Sequence, residues 1–150
     1  MNTMKIRFPR ASLFLSVFCL GALISGEALA HNIKGSLRES RKATAAWETT
    51  CGAGTTKIVY RVSQRRSMPF LVQLTASKDG ASNTVTAPGG KDKFSPYGEL
   101  AQGEGKYSLT LSKKAKKKST LGQVIYIVES HCEDSSGKKH TDQTPPVKKR

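Results

Sequence analysis

Five lysines fall within six residues at Lys113, Lys114, Lys116, Lys117 and Lys118, between two apolar, β-rich runs that extend from Gly105 to Cys132. Ammonium groups at this density must face water or a counter-charge, because burying them unpaired costs several kcal/mol each. Two roles fit them. They can solubilise a loop beside two apolar strands, or they can contact an anionic surface together with Arg61, Arg65 and Arg66. The other chemistry-bearing residues are sparse. His31, His131 and His140 are the imidazoles, and Cys51 and Cys132 are the cysteines beyond the first thirty residues. His131 neighbours Cys132, and adjacent strand residues point to opposite faces, so these two cannot serve one ion. His140 lies in a polar tail, GKKHTDQTPPVKKR, which lacks the hydrophobicity to fold. An amino-terminal His31 could offer its amine and ring to copper, but only with a second histidine close in space. No metal and no cofactor are therefore expected.

Catalytic constellations are absent as well. Nothing matches G-x-S-x-G, H-E-x-x-H or a paired-carboxylate signature. Acid–base chemistry would reduce to His131 with Glu133 or Asp134 at a strand end, and a lone strand histidine is more often structural. The chain is expected not to be an enzyme.

The elements that must carry these residues show period-two alternation, the mark of strands with one buried face. Ile58, Tyr60 and Val62 alternate with Lys57 and Arg61; Phe70, Val72, Leu74 and Ala76 lie opposite Gln73 and Thr75. Tyr107, Leu109 and Leu111 alternate with Lys106, Ser108 and Thr110. The run from Gln123 to Cys132 is apolar on both sides through Val128, which suits a strand covered on both faces. Ser77-Lys78-Asp79-Gly80 and Ala87-Pro88-Gly89-Gly90 read as turns. Ser36 to Trp47 could form a short helix. The expected fold is all-β, an antiparallel, jelly-roll-like β-sandwich of five to eight strands, and the lysine cluster falls in a hairpin loop longer than the usual two to five residues.

The first thirty residues read as an export signal. Lys5, Arg7 and Arg10 precede an uncharged apolar run, Ala11 to Ile24, and Ala28-Leu29-Ala30 supplies a small-x-small exit. The fourteen residues of that run are fewer than the roughly 20 a membrane-spanning helix needs. Cleavage after Ala30 would leave 120 residues beginning at His31, with 22 basic against 10 acidic side chains, a net charge of +12. That is one domain's length, divided into a polar segment at 31–43, a sandwich at 44–133 and a disordered basic tail at 134–150. In an oxidising compartment, periplasmic or extracellular, Cys51 and Cys132 are expected to form a disulfide. Trp47, Thr49 and Cys51 would share one strand face, and Val124, Tyr126, Val128, Ser130 and Cys132 another. The bond should therefore sit in the core beside Trp47, with the two strands either paired or placed across the sandwich.

The order of a Trp-containing strand, an alternating strand, Pro69-Phe70-Leu71-Val72 and then G-x-G-x-Y-x-L-x-L from Gly103 to Leu111 resembles the bacterial pre-peptidase C-terminal family. The likeness spans Trp47 to Cys132 and implies a small β-sandwich module that accompanies secreted hydrolases or stands alone. The Asp-rich strand start of that family has no counterpart at Pro69 to Val72, so the resemblance implies no calcium site.

Residues and resemblance together favour an exported, non-catalytic binding or accessory module for an anionic envelope or extracellular ligand: a polymer, a lipid or an acidic protein surface. A small secreted inhibitor or effector docking an acidic protein is the alternative, and a copper-dependent or hydrolytic enzyme the third reading. Export and the lack of an aromatic-interleaved basic strand argue against nucleic acid.

Overall fold

The computed structural model describes residues 30–40, 42–65, 70–115, 122–137 and 140–149. The expected signal peptide, apart from Ala30, lies outside the described residues, as do Arg66, Lys116, Lys117 and Lys118. The described strands are β1 (His31–Leu37), β2 (Thr44–Cys51), β3 (Lys57–Gln64), β4 (Phe70–Lys78), β5 (Ala81–Thr86), β6 (Lys93–Phe94), β7 (Gly98–Leu100), β8 (Gly105–Ala115), β9 (Val124–Glu133), β10 (His140–Thr141) and β11 (Val147–Lys148). Seven of them have six residues or more, within the expected number. No helix occurs among the described residues.

Two antiparallel sheets pack face to face. One runs β1-β9-β3-β6, with β7 also on β3 and β10 also on β9; the other runs β11-β2-β8-β4-β5. The chain passes repeatedly from one sheet to the other, so each sheet is built largely from strands distant in sequence. The alternating residues do what their period requires. Ile58, Tyr60 and Val62 of β3, Phe70, Val72, Leu74 and Ala76 of β4, and Tyr107, Leu109 and Leu111 of β8 are all buried. Trp47 of β2 meets Tyr126 of β9 edge to face across the core, ring centres 5.8 Å apart. Cys51 and Cys132 are joined, so the disulfide links β2 to β9 across the sandwich rather than within a sheet.

Four local expectations are corrected. Residues 31–43 are not merely a polar segment, because His31–Leu37 is a strand paired with β9 from His31 opposite Ser130 to Leu37 opposite Val124. Its alternation is hidden by Gly35, whose missing side chain makes room for Tyr126; a Cβ there would lie 2.5 Å from the phenol oxygen. The short helix at Ser36 to Trp47 does not form, since both ends of that stretch are claimed by sheet partners. β9 lies between β1 and β3, but only its inner face is covered: Ile125 is exposed and Ile127 half-buried.

The tail expected to be disordered from 134 onward instead straps the sandwich. β10 pairs with β9, Gln143 bridges Cys51, and β11 pairs with β2. Hydrogen bonds rather than apolar burial hold it. The Thr144 amide donates to the Thr50 carbonyl, the Thr50 amide donates to the Thr144 hydroxyl, and the Thr144 carbonyl accepts from the Thr49 hydroxyl. The Gln143 side-chain amide donates to Thr49 and Ser130. Those two side chains are polar and buried beside the disulfide, so the tail supplies partners that the core cannot.

Burial of the tyrosines makes the fold alkali-sensitive. Tyr60 is fully buried, its hydroxyl donates to the Asn83 carbonyl, and burial pushes its phenol up to about 12. Burial also raises Tyr107 and Tyr126. An unfolded tyrosine ionises near pH 10. The folded chain holds these protons more tightly, so stability present below about pH 10 is lost as the pH climbs towards 12. The urea midpoint should fall across that interval, by about 2–3 kcal/mol of stability for Tyr60. Tyr60→Phe should flatten the fall; a midpoint equally steep in that variant contradicts the assignment to Tyr60.

Candidate functional site

Register places the connections at two opposite ends of the sandwich. Leu37, Thr44, Gln64, Phe70, Ala115 and Val124 mark one end; Cys51, Lys57, Lys78, Gly105 and Glu133 mark the other. The first end collects cations. Among the described residues it carries Arg38, Lys42, Arg65, Lys91, Lys93, Lys113 and Lys114 against the acids Glu39 and Asp92. The connections that leave Arg65 and Ala115, and the one after Ser40, add Arg41, Arg66, Lys116, Lys117 and Lys118 in sequence and no acid. Among the described residues the second end holds Lys57, Lys78 and Lys106 among Asp79, Glu99, Glu104, Glu133, Asp134 and Asp142, and its connection after Gly137 adds Lys138 and Lys139 in sequence. The excess positive charge is thus polarised along the strand axis, which focuses the field at one end.

The cations expected to act together divide into three environments. Lys114 and Arg65 stand exposed at the basic end, with Arg65 3.7 Å from Asp92. Lys113 sits there too, but its ammonium donates to the carbonyls of Arg38 and Gly122 and lies 4.8 Å from the centre of the Phe70 ring. Burial lowers its pKa below the ordinary lysine value. It ties the β1–β2 and β8–β9 connections together, a structural task. Arg61 lies elsewhere, on the outer face of the β1-β9-β3 sheet. Its guanidinium pairs with Glu129 at 2.5 Å and stacks between Phe94 and Tyr97, 4.2 and 4.6 Å from the ring centres. Arg66, Lys116, Lys117 and Lys118 lie outside the described residues. Sequence reading missed Arg38, Lys42, Lys91 and Lys93, which come from other connections. Only the strand order brings them beside the lysine cluster.

Arg61 borders a groove of about 550 Å³ on that outer face, lined also by Lys57, Tyr97, Glu129, His131, Glu133 and His140. β3 and β9 present Lys57, Arg61, Glu129, His131 and Glu133 outward, because their neighbours face the core. Glu133 is buried at the groove's end; its carboxylate meets His131 Nε2 at 2.7 Å and Lys57 at 3.3 Å. Lys57 also binds Glu99 at 2.9 Å, and this hydrogen bond foremost, then that to Glu133, raises its pKa despite burial. The His140 ring stands 4.4 Å from that of His131.

Ordering of the tail also brings together His131 and His140, the latter lying in the tail expected not to fold. β10 returns beside β9, with His140 directly opposite Glu133. The turn between them was legible: Asp134-Ser135-Ser136-Gly137 has turn composition, the Asp134 carboxylate accepts from Ser136, and Gly137 has positive φ. What it returned to was not legible. His31 does not join this pair. It stands opposite Ser130, on the inner side of the sheet, with Nε2 3.0 Å from the Gln143 carbonyl oxygen.

Among the described residues no helix is long and apolar enough to cross a membrane. Compared with protein-family models, with curated proteins and with solved structures, the chain matches none.

Proposed function

We propose that the protein is an exported, non-catalytic binding or accessory module that holds an anionic envelope or extracellular ligand at the basic end of its sandwich. One observation carries this: among the described residues, seven cations from four separate stretches of chain converge on one end with two acids. A solubilising loop would need only its own charges. Convergence from several connections instead supplies a broad cationic surface suited to repeated phosphate, sulfate or carboxylate groups. The disulfide is compatible with a periplasmic or extracellular setting. A module of this kind also agrees with the resemblance to pre-peptidase C-terminal domains.

The test is equilibrium binding of residues 31–150 to a sulfated polysaccharide and to vesicles containing phosphatidylglycerol, with neutral vesicles as control. Affinity should fall steeply from low salt to physiological salt, where the Debye length is about 8 Å. Replacing Lys114, Lys116, Lys117 and Lys118 with serine should leave the fold intact, since Lys113 keeps its structural bonds. At about 1 kcal/mol per lysine near an anionic surface, affinity should drop about a hundredfold or more. Truncating the tail is an unsuitable control because the tail is part of the fold; Lys106→Ser, exposed at the opposite end, replaces it and should cost far less. Equal binding by the lysine variant and the wild type would overturn the proposal. Recovery of one stoichiometric acidic protein, with neither probe bound, would favour the inhibitor reading instead.

A further inference from the structure

The opposite end of the sandwich carries a different chemistry. His131 and Glu133 alternate on the outer face of β9, and His140 faces Glu133 from β10. One donor atom from each lies within 4.8 Å of the other two. Two imidazoles and a carboxylate form a known set for a borderline divalent ion such as Zn²⁺.

The spacing suits such an ion. Bonds of about 2.0–2.2 Å place the donors of a tetrahedral site about 3.3 Å apart. His131 Nε2 and Glu133 Oε1 are already 2.7 Å apart, so these two need only separate slightly. His140 is exposed on a short strand, and rotation of its ring can close the remaining gap. The frame beneath is stiff: Cys132, between the two β9 donors, is tied through the core to Cys51. Lys57 engages the other carboxylate oxygen of Glu133 and thereby orients Oε1 towards His131, the outer support that metal ligands commonly have. All three donors line the groove, which leaves the remaining coordination positions to water or to a small ligand.

We propose that His131, Glu133 and His140 form a binding site for a divalent transition metal of the Zn²⁺ class, separate from the basic end and independent of what binds there.

Titration calorimetry of oxidised residues 31–150 with Zn²⁺ alone tests it. One equivalent should bind, and Zn²⁺ should raise the melting temperature as any ligand of the folded state does. His140→Ala is the decisive variant, because its exposed side chain can be removed without opening the core; circular dichroism checks that it folds. Affinity should fall by more than about a hundredfold, beyond the roughly 10–100-fold that loss of an outer-shell partner costs, and the thermal shift should shrink with it. His131→Ala should behave alike. His31→Gln should bind as the wild type does. Absence of Zn²⁺ binding, unchanged affinity in His140→Ala, or loss of binding in His31→Gln would each overturn the proposal, the last by moving the ion to the amino terminus.

Discussion

Cys51→Ser should lower the free energy of unfolding by about 2–5 kcal/mol, the range for a native disulfide in a small secreted domain. The bond joins residues 81 apart in sequence, and the chain-entropy model gives about 4.5 kcal/mol for a loop of that length. Its place in the fold adds to the effect. Both cysteines are buried, and they clamp β2 to β9, the strands that also receive the tail. Opening the bond therefore loosens the contact between the sheets and the strap together. Urea denaturation of the wild type and variant measures the loss directly. A change below about 1 kcal/mol would mean that packing alone sets the distance between the sheets.

Trp47→Ala should cost a comparable amount, about 3–5 kcal/mol. The indole is 4% exposed and lies edge-on to Tyr126. It comes from one sheet and packs against the other, so its removal leaves a cavity on the plane where the sheets meet. Neighbours held in paired strands can close that cavity only in part. Val147 of β11, 69% exposed, provides the contrast: Val147→Ala should stay within about 0.5 kcal/mol. Because Trp47 is the chain's single tryptophan, circular dichroism must follow the unfolding. If the two variants lose similar amounts of stability, the core does not centre on Trp47.

The β4 and β8 strands were legible because each alternates cleanly and buries one face. β3 was legible because Ile58, Tyr60 and Val62 alternate with Lys57 and Arg61, although Val59 and Ser63 on its other face are buried too. The disulfide was legible because Trp47, Thr49 and Cys51 on one strand and Tyr126, Ser130 and Cys132 on another share faces by period alone. β1 was not, because Gly35 occupies the inward position where an apolar residue would have marked it. The tail was not, because its order rests on bonds from Thr144 and Gln143 to edges that sequence does not identify as neighbours. The same limit applied to function. The lysine cluster is visible as a run, whereas its extension through Lys42, Lys91 and Lys93 follows from strand order. The meeting of His131 with His140 depends on where the β9–β10 turn lands.

The most direct test of the anion-binding account asks which lysines a ligand covers. Residues 31–150 would be treated with an amine-reactive ester, with and without a saturating sulfated polysaccharide, and the modification of each lysine read by mass spectrometry. Lys42, Lys91, Lys93 and Lys114, together with Lys116, Lys117 and Lys118, should become protected. Lys57, Lys78 and Lys106, at the other end, should react as before. Protection spread evenly over both sets, or confined to the second, would contradict a ligand site at the basic end.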